Sequence, residues 1–319
     1  MNKKYLLILC TLVLTAGYLQ AQPQQTQQRR AESEVGFHGP FIENFNKPTL
    51  DFFNFNLRRT GYDFRYYPGI PSFTEKGTEI MMFRIDPNDP AGAGRGPEIV
   101  SKELTHFGTY SARVRIPDVT QVQPNVGVVV GYFTYLKNPV FGLSEIDIEW
   151  LIADPEIIYV GTWTGSGSLQ RVGRIINLAT GTILNTSYRT GNEGNQPLTG
   201  MQNQPETIQP IKNYNASARF YTCGFDWYPD RVTWWIINPD THEKIVLWDY
   251  TGSTPDFTGI PVSPTRYMFN FWHTNNWPVE TNRNSIEKPL YSYELEIDWM
   301  SYTPFEDLSK EWLEQNNGQ

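Results

Sequence analysis

The stretch Ser144-Glu145-Ile146-Asp147-Ile148-Glu149-Trp150-Leu151 constrains this chain more than any other. Acid and aliphatic residues alternate one for one, the period of a strand with one face buried, so Glu145, Asp147 and Glu149 project from the same side. Like charges at neighbouring same-face positions repel, and a strand that needed only a solvated face would gain nothing by lining up three of them. The arrangement suits glycoside hydrolysis, in which one carboxylate attacks the anomeric carbon and a second, held protonated, gives its proton to the departing oxygen. Crowding supplies the required split in acidity. Asp147 between the glutamates raises the cost of ionising all three together, so one group keeps its proton near neutral pH while another is an anion.

Residues i and i+4 of a strand lie about 13 Å apart at Cα, whereas a retaining pair needs carboxyl groups about 5–5.5 Å apart. The spacing therefore predicts a strongly curved sheet with the acids on its hollow face. The same residues also fit an ordinary half-buried strand or a calcium site, since clustered carboxylates suit that hard cation.

Residues 1–21 carry a basic start (Lys3, Lys4), a largely apolar run from Tyr5 to Leu14 and a small residue, Ala21, at the end. This is the pattern of a secretory signal peptide, too short to span a bilayer, and it places the mature protein in the periplasm or outside the cell. Residues 22–38 read as a disordered polar leader, 39–306 as one large β-domain and 307–319 as a short C-terminal tail. The formal charge is −8, and loss of Lys3 and Lys4 makes it −10. That balance disfavours nucleic acid and anionic membranes as partners and favours a neutral polysaccharide over a sulfated one. With Cys10 removed, Cys223 is the only cysteine; its apolar strand context marks it as a buried small hydrophobe.

From Phe52 onward short β-rich runs alternate with Gly, Pro, Asn and Asp clusters, as at 79–85, 108–116 and 126–133. Many short strands without intervening helices indicate an all-β sandwich or jelly roll. Residues 305–314 read as a terminal helix. Aromatic residues make up 14% of the chain, 10 of them Trp, more than a core alone calls for. About half of the tryptophans are expected to be structural, the others to offer sugar-stacking faces.

Glu145-Ile146-Asp147-Ile148-Glu149 resembles the active-site strand of glycoside hydrolase family 16, most closely the bacterial lichenase-type beta-glucanases. The resemblance extends over most of the chain, in order and spacing. Phe107–Val114 is similar to the strand two steps before the site, and Gly131-Tyr132-Phe133-Thr134-Tyr135 to the aromatic strand preceding it. Tyr221–Trp227 with Val232–Trp235 resembles the family's hairpin, and Met268–Trp272 and Glu296–Met300 its last two strands.

The resemblance implies a concanavalin-like β-jelly roll of two curved antiparallel sheets, with Glu145 as nucleophile, Glu149 as acid/base and Asp147 tuning both. Arg113, Tyr135, Trp227, Asn270 and Trp272 match positions lining the sugar cleft; Trp150, Trp163 and Trp277 match less closely. One residue separates Asp147 from Glu149, as in the unbulged lichenase and xyloglucan-active branch. Three positions depart from the lichenase pattern: Ser144 replaces Asp, Tyr221 replaces His and Gly161 replaces Asn. The implied activity is secreted, endo-acting and retaining, with β-1,3-1,4-glucan the favoured substrate. Hydrolysis or transglycosylation on xyloglucan or laminarin, and a non-catalytic lectin-like jelly roll, are the alternatives. No cofactor is expected to be required, a structural calcium ion is neither demanded nor excluded, and a monomer without membrane insertion is expected.

Overall fold

Alternating burial along short segments builds nearly everything in this computed structural model, which describes residues 37–47, 49–55, 64–68, 79–252, 258–277 and 286–316. The signal peptide and almost all of the polar leader lie outside the described residues. His38–Gln319 forms one unit. In chain order its strands among the described residues are β1 (Phe41–Glu43), β2 (Phe53–Phe55), β3 (Phe64–Pro68), β4 (Glu79–Ile85), β5 (Glu98–Ser101), β6 (Gly108–Arg115), β7 (Val128–Asn138), β8 (Gly142–Leu151) and β9 (Ile157–Gly165). They continue with β10 (Gln170–Asn177), β11 (Thr182–Thr190), β12 (Gln196–Pro197), β13 (Tyr221–Trp227), β14 (Val232–Ile237), β15 (Lys244–Tyr250), β16 (Arg266–His273) and β17 (Tyr293–Pro304).

The strands form two antiparallel sheets, an all-β jelly-roll sandwich. One runs β12-β11-β10-β9-β8-β7-β16-β5-β2; the other runs β15-β14-β13-β6-β17-β4-β3, with β1 also on β17. The runs read at 79–85 and 108–116 are β4 and β6, and the hairpin read at 221–235 is β13–β14. Strand β7 starts at Val128 and continues to Asn138, beyond the apolar run, because pairing with β8 carries it on after its side chains turn polar. The terminal helix forms as α1 (Glu306–Asn316). No helix among the described residues is long and apolar enough to cross a membrane.

Strand β8 lies in the middle of its sheet because the consecutive strands β7 to β11 form a meander around it. Its pairing with β7 and β9 runs through the acid motif without a register shift, so the strand is unbulged as its spacing implied. Ile146, Ile148 and Trp150 point into the core between the sheets. Two hydrogen bonds cross there: Trp234 Nε1 on β14 donates to the Asp147 carbonyl at 3.0 Å, and Trp150 Nε1 donates to Tyr214 Oη at 3.3 Å. Cys223 is buried and unpaired, the small hydrophobe its strand implied.

A charged side chain also ties the sheets together. Arg174, 1% exposed on the core side of β10, donates from Nε to Thr186 Oγ1, from Nη1 to the Pro205 and Leu247 carbonyls, and from Nη2 to Asn203 Oδ1. Its guanidinium lies 5.1 Å from the Trp248 ring centroid. Removing such a donor strands buried acceptors, which costs more than the bonds contributed. Arg174→Met is expected to lower the unfolding free energy by about 3 kcal/mol or more. Denaturant unfolding reads this directly, and a loss below about 1 kcal/mol would show the clamp to be dispensable.

Candidate active site

The two-residue period of β8 puts Glu145, Asp147 and Glu149 on the face turned away from the core, and strand register assigns each acid its neighbours. Beside Glu145 lie Tyr135 on β7 and Trp163 on β9, continued by Arg266 on one side and Arg171 and Arg189 on the other. Asp147 has Phe133 and Gly161, then Met268 and Gly173. Glu149 has Gly131 and Tyr159, then Asn270 and Ile175, and Glu98 lies beyond Asn270.

Two hollows flank the acid row. One of about 410 Å³ is lined by the three acids with Tyr135, Phe133, Met268, Asn270, Trp272 and Glu98. The other, a small hollow of about 60 Å³, is reached from Asp147 and Glu149 and lined by Tyr159, Trp163, Arg171, Asn185, Ser187 and Asn195. Glycine makes room between them. A Cβ on Gly131 would lie 2.4 Å from Asn270 Oδ1, so the missing side chain lets that amide lie beside Glu149. A Cβ on Gly161 would lie 2.4 Å from the Val172 carbonyl, which is why the Asn of the lichenase pattern has no place here.

None of the three carboxyls accepts a hydrogen bond from a described residue, and all three are pushed toward the protonated form. Burial drives Glu145 up to about 8, with repulsion from Glu149 adding to it. Burial drives Glu149 up to about 7, against the pull of Arg171. Asp147 is raised well above the ordinary carboxylate range by burial first, then by Glu145 and Glu149, with Arg171 opposing. At neutral pH the row therefore holds fewer than three charges. The two glutamates rank opposite to their implied roles, Glu145 above Glu149. What holds for the row is the common upward direction, because its cause, burial without hydrogen-bond donors, is shared by all three.

The family model for glycosyl hydrolases family 16 matches residues 71–300. The chain belongs to glycosyl hydrolase family 16. A beta-glucanase of Paenibacillus polymyxa is 26% identical over 182 residues, an overlap of 56% of this chain and 54% of that protein. A beta-glucanase of Bacillus subtilis (strain 168) is 23% identical over 199 residues, 62% of this chain and 58% of that protein. The chain thus spans little more than half the length of these relatives. Among solved structures, a GlcNAcα1-4Gal-releasing endo-β-galactosidase from Clostridium perfringens superposes with a TM-score of 0.51 at 11% identity, covering 85% of this chain and 65% of that one. At that identity the likeness concerns the fold.

Within the family 16 framework, the structure sorts the residues matched to the cleft. Tyr135, 38% exposed, Asn270 and Trp272 line the larger hollow with the acids. Trp163 lines the smaller one. Trp277 is partly buried, with its ring edge-on to Tyr159 at a centroid distance of 4.9 Å. Three residues lie elsewhere. Trp150 belongs to the core because it shares the parity of Ile146 and Ile148, not of the acids. Trp227 is fully buried in the core, on the parity of Cys223 and Phe225, with Nε1 donating to the Pro261 carbonyl at 2.9 Å. Arg113 sits on β6, in the other sheet, on the side facing away from the core; Nη1 donates to Asp298 at 2.6 Å and the guanidinium stacks on Phe220.

Glu98, Phe133, Met268, Arg171 and Arg189 also reach the site. Only Arg171 and Arg189 carried a local signal, as charged residues on strands whose alternate positions are apolar or small. No group of three or more His, Cys, Asp or Glu residues among the described residues is arranged to hold a metal ion.

The raised carboxyls make stability depend on pH with a definite sign. A group whose folded-state pKa lies above its unfolded value of 4.5 costs nothing below that pH and destabilises the fold progressively as pH rises through 7 and 8, where it must ionise. Glu145→Gln and Glu149→Gln are therefore expected to melt about 2 °C or more above the parent at pH 8, with the difference vanishing near pH 4. Melting curves across that range check it; variants melting lower at pH 8 would make the acids structural supports.

Proposed function

We propose that this chain is a secreted, endo-acting, retaining glycoside hydrolase of β-linked glucans, with β-1,3-1,4-glucan as the favoured substrate among neutral polymers. The observation that carries this reading is the row of three water-poor carboxyls on one unbulged strand, at the floor of a cleft that continues on both sides of the row. A polymer can extend past the row in both directions, which suits cleavage within a chain. The beta-glucanase names of the relatives point the same way.

In this reading a Glu145 oxygen attacks the anomeric carbon while the glycosidic C–O bond breaks and the departing oxygen takes the Glu149 proton. Water then yields its proton to Glu149 and attacks the same carbon, releasing Glu145 and regenerating the β configuration. Asp147, held protonated by burial and by its neighbours, adds no third charge between the glutamates and can donate a hydrogen bond to whichever of them is ionised. Tyr135 and Trp272 offer ring faces to the sugars. Residues 1–21 direct export, leaving a monomeric mature protein.

A panel of β-glucans read for product length tests the substrate and the endo mode. Proton NMR of the new reducing end, recorded before mutarotation, is expected to show the β-anomer first; an initial α-anomer would sink the nucleophile assignment. Glu145→Gln and Glu149→Gln should each lose about a thousandfold in turnover, and Asp147→Asn less. Parent activity should fall as pH rises past about 7–8, where the two glutamates lose their protons; near-parental turnover in either glutamine variant would break the role assignment.

A further inference from the structure

The cross-strand row that carries Glu145 continues as Trp163, Arg171 and Arg189. At about 4.8 Å per strand, the two arginine backbones lie about 10 and 14 Å from that of Glu145. Arg171 and Arg189 are direct partners on β10 and β11, a like-charge pairing that costs stability unless something compensates it. Both guanidinium groups lie over the same indole, 5.2 and 5.1 Å from the Trp163 centroid.

Four arginines elsewhere have acid partners: Arg84 with Asp86, Arg113 with Asp298, Arg115 with Glu296, Arg219 with Asp240. Neither Arg171 nor Arg189 makes an ion pair or a hydrogen bond among the described residues, although Arg171 lies near the acid row. Arg189 Nε is buried with no hydrogen-bond partner among the described residues. Burial lowers the Arg171 pKa, Glu149 pulls it back up and Arg189 lowers it further. Balancing the acid row accounts for Arg171, but not for Arg189, one strand farther out beside a second cation.

We propose that Arg171 and Arg189, braced by Trp163, form a subsite for an anionic substituent, a carboxylate or a sulfate ester, on a sugar ring two to three strands from the cleavage point. Each guanidinium is a planar fork matched to two such oxygens, and Asn185, Ser187 and Asn195 in the same hollow can bond the ring hydroxyls. The overall negative charge does not oppose this, because charges beyond about 8 Å are screened at physiological ionic strength. The subsite rests on the hydrolase reading for the ligand being a polysaccharide and departs from it on the substrate: the natural polymer is a β-linked glycan that carries acidic units among its neutral ones, in place of the neutral β-1,3-1,4-glucan.

The test is calorimetric titration of the Glu145→Gln variant, which keeps the ligand intact and removes a charge that is not among those acting on Arg171. The probes are three oligosaccharides of one β-glucan backbone: neutral, carboxylated at C6 and sulfated at C6. The anionic ligands are expected to bind at least tenfold tighter than the neutral one, with an advantage that shrinks as salt rises. Whichever anion binds more tightly identifies the substituent. Adding Arg189→Leu should abolish the advantage, and Arg189→Lys should restore part of it. Equal binding of neutral and anionic ligands, or a preference that survives Arg189→Leu, would overturn the proposal. Turnover by the unmodified protein separates the two readings. Cleavage of neutral glucan with no anionic preference removes the subsite and keeps the hydrolase; tight, salt-sensitive anion binding without cleavage of any polymer does the reverse.

Discussion

Three carboxyl groups held on one strand without hydrogen-bond donors among the described residues are the constraint on which the rest of the site depends. Ionising all of them there is too costly, so the row retains protons near neutrality, and a group that keeps a proton beside one that has lost it is what acid-assisted displacement needs. This works only if the strand cannot shift, since a slip of one residue would turn the acids into the core. Ile146, Ile148 and Trp150 anchor the opposite side, and the hydrogen bond from Trp234 to the Asp147 carbonyl fixes the strand at the middle acid. The meander of β7 to β11 encloses β8 on both edges, so its backbone pairing is complete along the motif.

The surroundings of the row are asymmetric. On the β7–β16 side, aromatic and amide groups meet over Gly131, where Asn270 takes the space of a missing side chain. On the β9–β11 side, polar groups and Arg171 border the smaller hollow, with Arg189 paired beside Arg171 on β11. Arg171 pulls Glu149 and Asp147 down but does not act on Glu145 in the same way, so the charge of this wall reaches the acids unequally. The two sides of the acid row therefore differ in chemistry: Phe133, Tyr135, Met268, Asn270 and Glu98 on one, Tyr159, Trp163, Arg171 and amide groups on the other.

The interior shows a related economy. Arg174, three residues beyond Arg171 and so on the opposite face of β10, faces the core and satisfies its donors on carbonyls and side-chain oxygens from several segments, joining β10 to β15. Arg171 and Arg189 on the other face have no such acceptors among the described residues. Three arginines within one hairpin thus serve different ends because strand parity decides which way each one points.

Sequence alone determined the acid row, the parity of its strand, the hairpin at 221–235 and the family 16 framework, because period-two alternation and turn residues are local properties of the chain. Parity also carried information left unused: Trp150 shares the side of Ile146 and Ile148, and Trp227 that of Cys223 and Phe225, so both belonged to the core from the start. Tertiary structure alone decided that Arg113 lies in the opposite sheet, and that Glu98, Met268 and Asn270 converge on Glu149 and Asp147 from strands more than a hundred residues away or from across the sheet. Only it brought Arg171 and Arg189 together over Trp163. The physical reason is that neighbours across a sheet are set by which strands pair and in what register, and that depends on closing long loops around a shared core rather than on any pattern within one segment.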